Sequence, residues 1–116
     1  MAAASAAVNT FQTVTQTVST AEAVVYTAPV GYSGVVLLAQ AANISSDTYT
    51  VSFSHVRTTA GIAVTTELVK DLAMQGNDAL SLVQGKLVLE AGDELKISAN
   101  NASNIKFTGS ILETLN

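Results

Sequence analysis

Apolar and polar residues alternate along this chain with period two, and no segment holds the three-to-four spacing of an amphipathic helix. The clearest case runs from Thr48 to Arg57. There Tyr49, Val51, Phe53 and His55 alternate with Thr50, Ser52 and Ser54, so one set enters a core and the other meets water or a neighbour. Ile62, Val64 and Leu68 share a face between Ile62 and Val69, and Ile105, Phe107 and Ile111 share one in the closing segment Asn104 to Glu113. Leu87, Leu89, Leu95 and Ile97 fall inside, leaving Lys86, Glu90, Glu94 and Lys96 outside. The unbroken run Val35 to Leu38 reads as a central strand covered on both faces. Phe11 to Val18 is apolar only sparsely, with Val14 and Val18 on one face and Phe11 on the other, as expected of a strand at a sheet edge or between subunits.

Turn chemistry divides these pieces. Pro29 to Gly34, Asn43 to Asp47 and Thr58 to Gly61 are turns, and Gln84-Gly85 and Ala91-Gly92-Asp93 have the spacing of tight hairpins. Lys70 to Asp78 is the least regular stretch and reads as a loop that exposes Leu72 and Met74. The pattern predicts an all-β chain of eight or nine short strands, a single-domain antiparallel β-sandwich of jelly-roll type spanning 11–116. A flexible N-terminal arm, 1–10, precedes it.

Composition narrows the function. The chain has 116 residues, no cysteine and a net charge of −4. Disulfides and thiolate metal sites are therefore excluded. Its five basic residues, Arg57, Lys70, Lys86, Lys96 and Lys106, stand singly, without the cationic stripe that nucleic acid requires. The alanine-rich start, Met1 to Ala7, has neither the length nor the flanks of a signal peptide or membrane span, so no membrane partner is expected. Charged residues make up only 12% of the chain, about half the usual share of roughly 25%. Serine and threonine, 25 residues together, occupy outward positions instead. A surface of this kind costs less to dehydrate than one of full charges and suits contact with other subunits.

Candidate chemistry is sparse. His55 is the only histidine and reads as a partly buried residue at a sheet rim. Gly31-Tyr32-Ser33-Gly34 lacks the spacing of a nucleophile elbow. Asp71, Asp78, Glu90, Asp93 and Glu94 stand at turns and outward strand sites, where solvation accounts for them. Asn43-Ile44-Ser45 and Asn101-Ala102-Ser103 match glycosylation acceptors but read as turns. A sugar-stacking platform would have to come from Tyr26, Tyr32 or Tyr49, because there is no tryptophan. No catalytic residue, cofactor or metal is expected.

The run Leu87-Val88-Leu89-Glu90-Ala91-Gly92-Asp93-Glu94-Leu95-Lys96-Ile97-Ser98-Ala99 stands with Tyr26-Thr27-Ala28-Pro29-Val30-Gly31 upstream and the final Ile111-Leu112-Glu113. Together they resemble small virion structural proteins of tailed bacteriophages, including members from phages of aquatic bacteria. The resemblance covers the chain from about Val24 onward. It implies a non-enzymatic subunit added to a capsid, neck or tail and assembled in the cytoplasm of a bacterial host. Capsid decoration, as a cement protein contacting the major capsid protein and favouring a trimer, is the first expectation. A neck, tail or fibre-attachment subunit is the alternative, and a receptor- or glycan-binding module is the alternative of another class. The residues expected at the partner interface are Phe11, Val14, Val18, Leu72 and Met74.

Overall fold

The computed structural model describes residues 9–116. The expected arm falls mostly outside them, and Asn9 and Thr10, placed in it from the sequence, open the first strand. Nine strands form: β1 (Asn9–Thr17), β2 (Ala23–Thr27), β3 (Tyr32–Asn43), β4 (Tyr49–Thr59), β5 (Ile62–Met74), β6 (Ala79–Ser81), β7 (Leu87–Leu89), β8 (Glu94–Ala99) and β9 (Ile105–Leu115). They build two antiparallel sheets. One has the order β1-β9-β3-β6, with β7 also on β3, and the other β2-β8-β4-β5. Because β6 and β7 lie along different lengths of β3, they act as one interrupted strand, and the chain then switches sheets as a jelly roll does.

The core lies between the sheets. From β9 come Ile105, Phe107 and Ile111, from β3 Val36, Ala39 and Ala41, from β4 Val51 and Phe53, and from β8 Leu95 and Ile97, all buried. Phe53 stacks on Phe107 with ring centroids 5.5 Å apart, joining the middle strands of opposite sheets. Opposite Val14 and Ala39 the chain has Gly109, and a side chain there would press on the Phe107 ring at 3.0 Å.

Several sequence expectations change. The glycine turns at Gln84-Gly85 and Ala91-Gly92-Asp93 do not close hairpins: β6 and β7 both pair with β3, while β8 pairs with β2 and β4. The second turn instead carries the chain between sheets, fastened by Gly92 N–H to Ala28 C=O and Ala28 N–H to Asp93 C=O, both 2.9 Å. Leu37 and Leu38 are not covered, because a bulge between Val36 and Leu38 turns them to the outside. Lys70 to Met74 is strand, not loop. Two bulges in β5, opposite Val51 to Ser54 of β4, disturb its alternation and produce the irregular pattern.

Asn43 fixes the end of β3. Its amide donates to Asp47 C=O at 2.7 Å and Met74 C=O at 3.1 Å, and accepts from Ser45 N–H at 3.0 Å. The expected turn therefore forms, with the buried Asn43 side chain spent on it. Gly76 lies against the Ser46 backbone so closely that a Cβ would sit 2.5 Å from it.

Replacing Phe53 with Ala removes the aromatic bridge between the sheets. It should cost about 3–5 kcal/mol of unfolding free energy in urea titration. A loss below about 1 kcal/mol would contradict this account of the core.

Candidate assembly surface

On an antiparallel sheet, residues directly opposite one another point to the same face, so register decides which outward side chains meet. In the β1-containing sheet Phe11 lies opposite Leu112, Leu112 opposite Val35, and Val35 opposite Val88. All four point away from the core. They form an apolar row across the whole outer face, with Phe11 75% and Val88 59% exposed. Leu37 and Leu38 add to it beside the β3 bulge. Among the described residues, the remaining outward positions that pair within this sheet are Asn, Thr, Ser, Gln and Ala, with Lys106 the one charge among them. The other sheet is different: its outer face carries Glu67, Glu94 and Lys96.

The five residues expected at an interface separate into three environments. Phe11 is the exposed end of the apolar row. Val14 is half-buried on the inner side of the edge strand, packed against the core, and Leu72 is half-buried against the core from β5. Val18 and Met74 are 1% and 0% exposed and offer no surface. Both continue the inward alternation of their strands, Val18 beyond the end of β1 and Met74 as the last residue of β5 after its bulges.

A second exposed feature is the tip of the β4–β5 hairpin. β8 pairs with β4 only from Val51 to Val56, so beyond Val56 the hairpin stands as a two-stranded ribbon. Ala60 and Gly61 turn it with φ of 54° and 80°, the two positive angles of a tight hairpin turn. Ile62 and Val64, expected to be half-buried, are 67% and 58% exposed there. Their alternation is legible in the sequence, but the lack of a covering sheet at this height is not.

Two acids not expected in the core are buried. Asp93, grouped from the sequence with solvated carboxylates, is buried between β7 and β8. It accepts the Glu90 N–H at 3.1 Å and lies 2.9 Å from His55 Nε2, with Arg57 spanning from it to Glu90 at 2.6 Å. His55 is thus the half-buried rim residue expected, held by a carboxylate. Glu113 faces inward in step with Ile105, Phe107 and Ile111. It accepts the Tyr26 hydroxyl at 2.5 Å and the Gln12 amide at 2.8 Å. Gly34, opposite Glu113, makes room: a Cβ there would lie 3.3 Å from the Tyr26 oxygen. This contact clasps one sheet to the other. It removes Tyr26 from any sugar platform, as packing against the core removes much of Tyr49.

No family model matches the sequence, and no curated protein matches it. Among solved structures, the chain is similar to a chain of the T13 IBDV viral particle, with a TM-score of 0.56 and 10% identity over 96% of this chain. The match spans 32% of that longer chain. The likeness shows the fold. A subunit of the disulfide-linked pili of Bacillus endospore appendages is similar over 94% of this chain and 88% of its own, with a TM-score of 0.41 and 15% identity.

Burial, then the hydrogen bond to Glu113 and its charge, push the Tyr26 hydroxyl pKa well above its ordinary value. A raised phenol pKa means the folded state holds its proton more tightly. The stability it brings is complete below about pH 10 and is lost as the pH climbs further. Tyr26→Phe should therefore lower stability by about 1–3 kcal/mol at pH 7 and flatten the fall of Tm above about pH 10. Parallel Tm curves for the two proteins would show that the clasp does not contribute.

Proposed function

We propose that this chain is a non-enzymatic virion structural subunit, a decoration or cement protein on the head of a tailed bacteriophage that acts as a homo-oligomer. One observation carries the reading: the two outer faces differ, and the one spanned by the Phe11-Leu112-Val35-Val88 row bears almost no charge. Removing such a face from water leaves few charges to pair and covers an apolar row, whereas the opposite face keeps charges that favour solvent. The jelly-roll fold and its likeness to a viral-particle chain are consistent with this use.

The work required is mechanical. Each copy lays its uncharged face on the major capsid protein, and symmetry repeats a modest contact over the shell, so the sum resists the outward push of packaged DNA. The Tyr26–Glu113 clasp and the Phe53–Phe107 stack keep the two sheets from shearing under that load. A neck, tail or fibre-attachment subunit would use the same face on fewer copies.

Quantitative mass spectrometry of purified virions, referenced to the major capsid protein, tests the reading. The expected count is on the order of hundreds of copies per particle, as icosahedral repetition requires. A few copies to a few dozen would move the subunit to the neck or tail. Absence from particles, with retention of a specific glycan on an array, would replace the reading with a binding module.

A further inference from the structure

A strand at the margin of a sheet leaves N–H and C=O groups unpaired, and proteins blunt such margins with short strands, bulges, charges or proline. Three of the four margins here are blunted. β2 is five residues long and irregular at Val25. β5 has two bulges and carries Glu67, Lys70 and Asp71. The margin beside β3 is divided between two three-residue strands. β1 has none of these devices. Its nine residues pair with β9 without a shift in register, contain neither charge nor proline, and pair with no other strand among the described residues.

One hydrogen bond tells which main-chain groups face the open side. Val18 N–H donates to Ile105 C=O at 2.9 Å, in step with the β1–β9 register. Antiparallel ladders alternate, so Thr10, Gln12, Val14 and Gln16 also direct their main-chain groups to β9, and Phe11, Thr13, Thr15 and Thr17 direct theirs outward. Around Val14 the sequence reads alike in both directions, Gln12-Thr13-Val14-Thr15-Gln16.

We propose that β1 pairs antiparallel with β1 of a second copy about a two-fold axis at Val14. Phe11, Thr13, Thr15 and Thr17 then meet outward-facing groups of the second strand, making about eight hydrogen bonds. Each threonine of the centre faces a threonine, each glutamine a glutamine, and Val14 its own counterpart. Such matched cross-strand pairs are stabilising. Centring on Thr13 also satisfies the main chain but sets Val14 against a glutamine. Registers displaced by one residue set outward groups against inward ones and form no ladder. The pairing covers the half-buried Val14 and joins the two uncharged outer faces into one.

The pairing rests on the assembly reading and deepens it by naming a second copy as partner, through the sheet margin and not the face laid on the capsid. It calls for a dimer, where the capsid-decoration expectation favours a trimer. The chain has no cysteine, so one introduced thiol reports cleanly. At Val14 the two Cα atoms would be about 4.5 Å apart, within disulfide reach, whereas those at Phe11 would be about 20 Å apart. With the full chain at tens of micromolar under mild oxidation, Val14→Cys should cross-link at least tenfold more than Phe11→Cys, although Phe11 is the more exposed. Native mass spectrometry should give a dimer for the parent. Thr15→Pro should be a monomer with nearly unchanged Tm, because the N–H it lacks points away from β9. Equal or reversed cross-linking, a parent that is monomeric or trimeric, or a dimeric Thr15→Pro would overturn the pairing. None of these would alter the copy number on particles, so the two readings fail separately.

Discussion

The strict alternation of β9 is the constraint on which the rest of the molecule depends. Paired on both sides, by β1 and β3, this strand cannot slip by one residue without inverting every side chain it carries. Its odd-numbered residues supply Ile105, Phe107 and Ile111 to the core and carry Glu113 to Tyr26. Its even-numbered residues set Leu112 in the outer row between Phe11 and Val35. One register thus fixes the core, the clasp between sheets and the character of the exposed face.

The uncharged face and the buried acids are two sides of one economy. Two of the acids do specific work: Asp93 ties a crossover between sheets, and Glu113 anchors a tyrosine from the opposite sheet. An acid in the core is tolerated because its oxygens are met by donors, and no buried side-chain polar atom among the described residues lacks a partner. The outer face of the β1 sheet is left to Thr, Ser and apolar residues. That makes it cheap to dehydrate, as the proposed assembly role requires.

The strands themselves are legible in the sequence because period-two alternation survives wherever a strand has one covered face, as in Thr48 to Arg57 and Ile105 to Glu113. Pairing is not. Ala91-Gly92-Asp93 has the composition of a hairpin turn, and only the partners of Leu89 and Leu95 in different sheets reveal a crossover. Bulges hide the rest. Leu38 reads as core because the residue inserted after Val36 inverts its parity, and Met74 reads as exposed because two insertions break the alternation of β5 so that Lys70 to Asp78 looks like a loop. Of the interface residues, Phe11 does lie on the face away from Val14, while Val18 follows that same alternation into the core. Glu113 is detectable in principle, since it falls in step with Ile105, Phe107 and Ile111. Val88 and Leu112 are not, because their row exists only once four strands are in register.

The central claim is that the outer face of the β1 sheet is the contact surface of an assembled particle. Hydroxyl-radical footprinting of the chain in particles and alone measures this directly. Protection of Phe11, Leu112 and Val88 on assembly, with Val24 and Lys96 of the opposite face equally reactive in both states, is the predicted result. Unchanged reactivity along the Phe11-Leu112-Val35-Val88 row, or protection confined to the face that carries Lys96 and Glu94, would contradict it.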